Sequence, residues 1–264
     1  MLDGTDRLRG RSELIPPRRL LGGDYSEFQR IGGEFKGYFV ELGGLEPHHA
    51  VLDIGCGPGR MAVPLMDYLT ADGRYEGFDV VPREIRWCQE HITPRRPNFR
   101  FQLADVRNRH YNPDGDVPAS GFRFPYEDST FDLVVAASVF THMLEPEVER
   151  YLSEVGRVLR PGGRCIVTYF LLNDDSRRRI AAGESYFSFS TGSGVARFED
   201  AGDPEAVVAY DESFVRGRHT ASGLPVESVR GGYWCGRSDY LTWQDIVIAS
   251  RATVPSAPED AAVR

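Results

Sequence analysis

The run Val51-Leu-Asp-Ile-Gly-Cys-Gly-Pro-Gly-Arg60 constrains this chain more than any other stretch. Val51, Leu52 and Ile54 have the β-branched and aliphatic character of a short inner strand. Gly55, Gly57 and Gly59 then permit positive φ and leave room for a ligand to lie against the backbone. A helix is predicted from Arg60 through Leu69. Strand, glycine turn and helix together open a parallel α/β arrangement. The turn is expected to set free backbone N–H groups beside the carboxylate of Asp53, a pairing that suits a ligand bearing both a carboxylate and an ammonium or sulfonium.

The following segments keep the alternation. A second strand, Gly73 to Val80, ends in an acid, Asp79, which can accept both hydroxyls of a ribose. Pro82 opens a helix that runs to Glu90. A third strand, Phe99–Leu103, leads into Ala104-Asp105-Val106, and a long polar loop spans 107–123. The fourth strand, Asp132–Ala137, is continuously apolar and so buried on both faces. Ser138-Val-Phe-Thr-His-Met143 occupies its exit. A helix follows from Glu145 to Leu159, then the turn Leu159-Arg-Pro-Gly-Gly163, then a fifth strand, Arg164–Phe170. An acid after the second strand also serves nicotinamide dinucleotides, but their glycine fingerprint is G-x-G-x-x-G, whereas this turn is Gly55-x-Gly57-x-Gly59.

Over roughly residues 24–172 these motifs resemble the class I S-adenosylmethionine (SAM) dependent methyltransferases of the small-molecule type. The likeness rests on Asp53 with its three glycines and on the stretch Phe131–Phe170 with its Leu-Arg-Pro-Gly-Gly turn. It implies a Rossmann-like fold: a seven-stranded, mostly parallel sheet, helices on both faces and a C-terminal antiparallel hairpin. SAM would be the cofactor and S-adenosylhomocysteine the product. The resemblance assigns cofactor contacts to Asp53, Gly55, Gly57, Gly59, Asp79, Val80, Asp105, Val106 and Ser138, with Asp105 taking the adenine amine. Acceptor contacts fall to Tyr25, Tyr169, Tyr186, Phe187 and Trp234. No metal is expected. The expected reaction is in-line transfer of a methyl group to a hydroxyl of a sugar, phenolic or other metabolite. N-methylation of a small amine and SAM binding without catalysis are the alternatives. His142 is the candidate general base, since imidazole titrates near neutrality.

The flanks frame one domain over 24–251. Residues 1–23 read as a flexible leader and 252–264 as a disordered tail. A helix is expected over Asp24–Leu42, with Asp24 as its cap and Gly32, Gly33 and Gly37 weakening it. Residues 173–210 mix glycines with Tyr186, Phe187 and Phe189, which predicts a mobile aromatic lid. A helix over Asp211–Gly223 and strands Pro225–Trp234 and Trp243–Ser250 close the domain. A net charge of −8 argues against a nucleic-acid binder, whose affinity rests on a basic face. No stretch approaches the roughly 18 apolar residues of a membrane span. Four scattered cysteines signal neither zinc nor disulfides. A cytoplasmic monomer or homodimer acting on a small molecule is expected.

Overall fold

Every glycine-turn residue sits at the carboxyl edge of a seven-stranded sheet in the computed structural model, which describes residues 13–21 and 25–253. The sheet order is β11-β12-β7-β6-β1-β2-β3. Its strands are β1 (Ala50–Ile54), β2 (Arg74–Asp79), β3 (Phe99–Leu103), β6 (Phe131–Ala136), β7 (Leu159–Tyr169), β11 (Val226–Arg230) and β12 (Asp245–Ser250). Between β3 and β6 lie two short strands, β4 (Val106–Arg107) and β5 (Val117–Pro118), paired in parallel. The five central strands run parallel, while β12 pairs antiparallel to both β7 and β11. This is the Rossmann-like class I methyltransferase architecture expected from the sequence, with its closing hairpin.

Alternation along the strands divides the core into two layers, because successive side chains point to opposite faces. Val51, Leu133, Val135 and Ile166 face Phe35, Phe39, Leu65 and Ile85, under the helices Tyr25–Glu41, Ala62–Leu65 and Pro82–His91. Leu52, Ile54, Val134, Ala136 and Val167 face Val148, Leu152, Val155 and Val215, under the helices Glu145–Val158 and Glu212–Ala221. The inner strands β1 and β6 are thus buried on both sides, as a sheet sandwiched by helices requires.

The glycines that weaken the first long helix in isolation have a use at Gly32. A Cβ there would come within 2.5 Å of the Arg60 carbonyl, so Gly32 lets the helix lie directly on the glycine turn. The helix covers Tyr25–Glu41. Asp24, the leader up to residue 12 and the tail from 254 fall outside the described residues.

Four local expectations need correction. The helix predicted over 60–69 shrinks to Ala62–Leu65, because Pro64 supplies no N–H and the chain continues through tight turns, Met66 N–H bonding the Val63 carbonyl at 3.2 Å. The turn at 159–163 is not a break before the fifth strand. Gly162, at φ 82°, bulges within β7, whose pairing with β6 slips between Phe131 and Leu133. The strand expected over 225–234 ends at Arg230, because the Gly232 amide turns away to the Asp245 carboxylate at 2.8 Å. The final strand likewise starts at Asp245 rather than Trp243.

The glycine and aromatic segment after β7 is also built differently from the expected lid. It forms β8 (Leu171–Leu172), a helix Asp174–Ala181, β9 (Ala196–Phe198) and β10 (Val208–Asp211), with β8-β10-β9 as a small sheet of their own. Phe170, Leu172, Phe189, Ala209, Trp234 and Cys235 close a separate apolar cluster beneath it, with Phe187 and Trp243 packed on its side. Phe187 and Phe189 pack into this cluster, while Tyr186 stays exposed.

Candidate active site

A cavity of about 330 Å³ opens over the carboxyl ends of β1, β2 and β6, where ligands of open parallel sheets bind. Its floor is the glycine turn. Gly55 and Gly57 sit at φ 70° and 52°, conformations that only glycine adopts at little cost. The turn's amides are not free, contrary to the sequence expectation. Those of Gly55 and Cys56 donate to the Phe78 carbonyl at 2.9 and 3.1 Å, and that of Gly59 to the Cys56 carbonyl at 3.1 Å. Gly57 N–H donates to Asp79 Oδ2 at 2.8 Å, and Val81 N–H to Oδ1 at 2.9 Å. Asp79 therefore shapes the turn and also lines the cavity beside Val80 and Glu84. Burial raises the Glu84 carboxyl to about 7, and the neighbouring Asp79 charge adds to the rise.

Asp53 lies one layer below this wall. Its side chain points to the same sheet face as Val51 and is 1% exposed. There it accepts a short hydrogen bond from the Tyr75 hydroxyl, and burial lifts its carboxyl to about 7. Gly59 is also behind the wall. At φ 86° it packs on the helix Pro82–His91, where a Cβ would lie 2.5 Å from Ile92 Cδ1. The charged wall residue at this end is instead Arg60. Its half-buried guanidinium has no hydrogen-bond or ion-pair partner among the described residues and feels only the more distant charges of Asp53, Glu27 and Glu84.

The far wall comes from the exit of β6. Ser138 turns there at φ 59°. The turn is pinned by a bond from its amide to Thr168 Oγ1 at 2.8 Å and one from its hydroxyl to Gln244 Oε1 at 3.0 Å. His142 follows in the short helical turn Phe140–His142, lining the cavity with Met143, Glu147 and Tyr151. Its Nδ1 lies 3.1 Å from the Glu205 carbonyl. A carbonyl only accepts, so Nδ1 carries the proton and the neutral ring's lone pair sits on Nε2. Burial lowers the His142 pKa below its ordinary value, outweighing its hydrogen bonding to the backbone at Glu205 and Ala206, which raises it.

The roof is a loop that sequence reasoning left unassigned. Asn108 and Asn112 exchange two backbone hydrogen bonds of 3.0 Å, and Asn108 Oδ1 accepts the amides of His110 and Tyr111. The tight turn holds the Tyr111 ring edge-on to His142, with 6.0 Å between centroids. His110 Nε2–H donates to Asp203 Oδ1 at 3.0 Å, and Arg109 donates to the Gly202 carbonyl at 3.2 Å. The segment after β7 thus reaches the site through its 202–206 turn, which fastens the loop and fixes the histidine tautomer, and through the Tyr210 hydroxyl, which donates to the Met143 carbonyl at 2.6 Å.

Of the residues proposed from sequence, the cavity gathers Gly55, Gly57, Asp79, Val80, Val106, Ser138 and His142. The others stand elsewhere. Asp105 is exposed and accepts from Asn112 Nδ2 at 3.4 Å; its strand-end position alternates outward while Val106 points in. Tyr169 and Trp234 are fully buried, held by His219 Nε2 at 3.1 Å and by Asp245 Oδ2 at 2.7 Å. Tyr186 and Phe187 pack on Trp243 outside the cavity. Tyr25 stacks under the Arg18 guanidinium, 4.8 Å from its ring centroid. Besides Tyr111 and Arg60, the structure adds Leu20 and Leu21, Glu84, Glu147 and Tyr151. Only Arg60, next to the last glycine, carried a signal in its motif position. Among the described residues, the one grouping with metal-like spacing is Glu46, His48 and His49, with donor atoms within 4.8 Å. It precedes β1, at the sheet end opposite the cavity.

Comparison with known proteins agrees with this geometry. Residues 52–167 match the family model of a methyltransferase domain. Over 134 residues the chain is 34% identical to the 27-O-demethylrifamycin SV methyltransferase of Amycolatopsis mediterranei, covering 50% of this chain and 43% of that protein. It is 28% identical over 124 residues to the sterol 4-C-methyltransferase strm-1 of Caenorhabditis elegans, covering 47% of this chain and 32% of that one. The chain thus spans less than half the length of these curated relatives. The crystal structure of a SAM-dependent methyltransferase from Aquifex aeolicus superposes with a TM-score of 0.53 at 18% identity, over 87% of this chain and 100% of that one. Family match, strand order and glycine turn agree: residues 52–167 match a methyltransferase domain, set in the Rossmann-like fold of the class I SAM-dependent methyltransferases.

Proposed function

We propose that this protein transfers the methyl group of SAM to a hydroxyl of a small-molecule acceptor, with His142 as the general base. The observation that carries this reading is one cavity that joins the glycine turn and Asp79 to a histidine whose Nδ1 proton is already committed to the Glu205 carbonyl. Nε2 is then the nitrogen left to accept the acceptor's proton. Bound SAM supplies an electrophilic methyl on a sulfonium. The acceptor oxygen forms its bond to that carbon as the carbon–sulfur bond breaks, the bonding pair staying on sulfur as a neutral thioether, and the hydroxyl proton passes to His142 Nε2. Placement of the acceptor in line with the methyl supplies much of the rate.

A hydroxyl acceptor is supported by the relative whose name specifies a 27-O position, and a small acceptor by the confined cavity. Four free, buried cysteines suit a reducing cytoplasm. The test is incubation with methyl-labelled SAM and a metabolite extract, followed by mass identification of the product. His142→Ala is expected to lower turnover by about 10²–10⁴-fold while SAM affinity stays within a few-fold. The depressed pKa also predicts that wild-type turnover holds below pH 6.5 before falling on the acid side. Unchanged turnover in the variant, or a loss traced wholly to SAM affinity, removes His142 from the mechanism.

A further inference from the structure

A second cavity, of about 380 Å³, shares no wall residue with the first. It lies between the last turn of the helix Tyr25–Glu41, the end of β11 and the loop that joins β11 to β12. That loop stands on the ligand-binding edge of the sheet, because β12 runs antiparallel and Asp245, at its start, pairs with Tyr169 at the end of β7. The frame of the cavity is pinned. Leu241 N–H donates to the Gly231 carbonyl at 2.9 Å, and the Tyr38 hydroxyl donates to the Leu241 carbonyl at 2.9 Å. Its rim carries aromatic area that the core does not take up. Tyr240, 55% exposed, starts a line of ring contacts that runs to Tyr233 at 5.0 Å, on to Trp243 at 4.7 Å, and on to the exposed Tyr186 at 4.9 Å.

Glu41, Arg230 and Asp239 line this cavity, and none of their side chains has a hydrogen bond or ion pair among the described residues. Charges of both signs therefore border one hollow without neutralising each other. The signs decide what fits. A cation would meet Arg230, and an anion would meet Glu41 and Asp239. A neutral, polyhydroxylated ligand uses all three, because carboxylates accept hydroxyl protons and a guanidinium donates to hydroxyl oxygens. The Tyr240 ring, with its hydroxyl uncommitted, can cover the apolar C–H face of such a ligand. We propose that this cavity is a saccharide-binding site, separate from the cofactor cavity, in which Glu41, Asp239 and Arg230 bind sugar hydroxyls and Tyr240 stacks on the sugar ring. The assignment is independent of the proposed methyl transfer and survives its failure.

Binding of the full chain to a printed array of neutral mono- and oligosaccharides tests it, followed by saturation-transfer NMR on the sugars that score, with choline and glutamate as charged controls. Wild type is expected to bind a neutral saccharide and neither control. Tyr240→Ala and Asp239→Asn are each expected to weaken that sugar by about 10-fold or more, while Tyr240→Phe, which keeps the ring, stays close to wild type. Both positions are exposed, so the variants are expected to keep the wild-type Tm. His142→Ala, or saturating S-adenosylhomocysteine, is expected to leave sugar affinity within about two-fold, as for separate sites. Failure to bind any neutral saccharide on the array overturns the assignment, as does binding of choline or glutamate in its place. Sugar binding that survives both Tyr240→Ala and Asp239→Asn overturns it too. So does a sugar displaced by S-adenosylhomocysteine, which would place it in the first cavity.

Discussion

Asp53 shows how a motif residue can matter without lining the cavity. It is sealed under the glycine turn against Tyr75, and burial raises its carboxyl to about 7 from about 3.9 in an unfolded chain. The native state therefore keeps a proton that the unfolded chain has released. That contribution is fully present below about pH 4 and is lost as pH rises through 7. Asp53→Asn cannot ionise, so it is expected to gain on wild type by about 1–3 kcal/mol between pH 5 and pH 8. Urea unfolding of both proteins at the two pH values reads this directly. A difference that does not change with pH would mean the carboxyl titrates in its ordinary range.

Elements near the site are held by a few polar anchors, of which Asp245 carries the most. From the start of β12 its two oxygens accept from the Leu171 amide at 2.9 Å, the Gly232 amide at 2.8 Å and Trp234 Nε1 at 2.7 Å, and pair with Arg237 at 3.2 Å. One buried carboxylate thus joins the closing hairpin to the segment after β7, which in turn holds the 202–206 turn against His142. Removing it leaves two amides and an indole N–H buried without an acceptor. Asp245→Ala is expected to destabilise the fold by about 3–5 kcal/mol, measured by denaturant unfolding. A loss below about 1 kcal/mol would show that the hairpin and the segment are held by their apolar cluster alone.

At the scale of the whole molecule, cofactor and core are coupled because the cavity is bounded by both layers of the sandwich. Leu20 and Arg60 come from one layer; Met143, His142 and the helix Glu145–Val158 from the other. A ligand that fits the cavity binds only the folded chain. S-adenosylhomocysteine at a hundredfold excess over its Kd is therefore expected to add about 2.7 kcal/mol and to raise Tm by roughly 5–10 °C for a chain of this size. NAD at the same concentration is expected to leave Tm unchanged. A shift with NAD instead would contradict the reading of the glycine spacing. Differential scanning calorimetry checks both.

The order of strands and helices was legible from residue pattern alone, because apolar periodicity and glycine turns act over a few residues. Asp132–Ala137 declared a doubly buried strand, and the glycine spacing with Asp79 declared the side on which a ligand sits. Three further matters were decided by contacts between residues far apart in the chain. Asp53 faces inward because the pleat of β1 sets it against Tyr75, 22 residues on. Tyr169, Trp234 and Phe189 became core because Asp245, His219 and one another were there to receive them, which composition could not distinguish from an aromatic lid. Tyr111 came over the cavity because Asp203, more than ninety residues later, accepts from His110. Local pattern thus determined the scaffold and its ligand-binding edge. Only tertiary structure, by deciding which amides, carboxylates and rings already had partners, determined that Arg60 and His142 face the cavity with bonding capacity to spare.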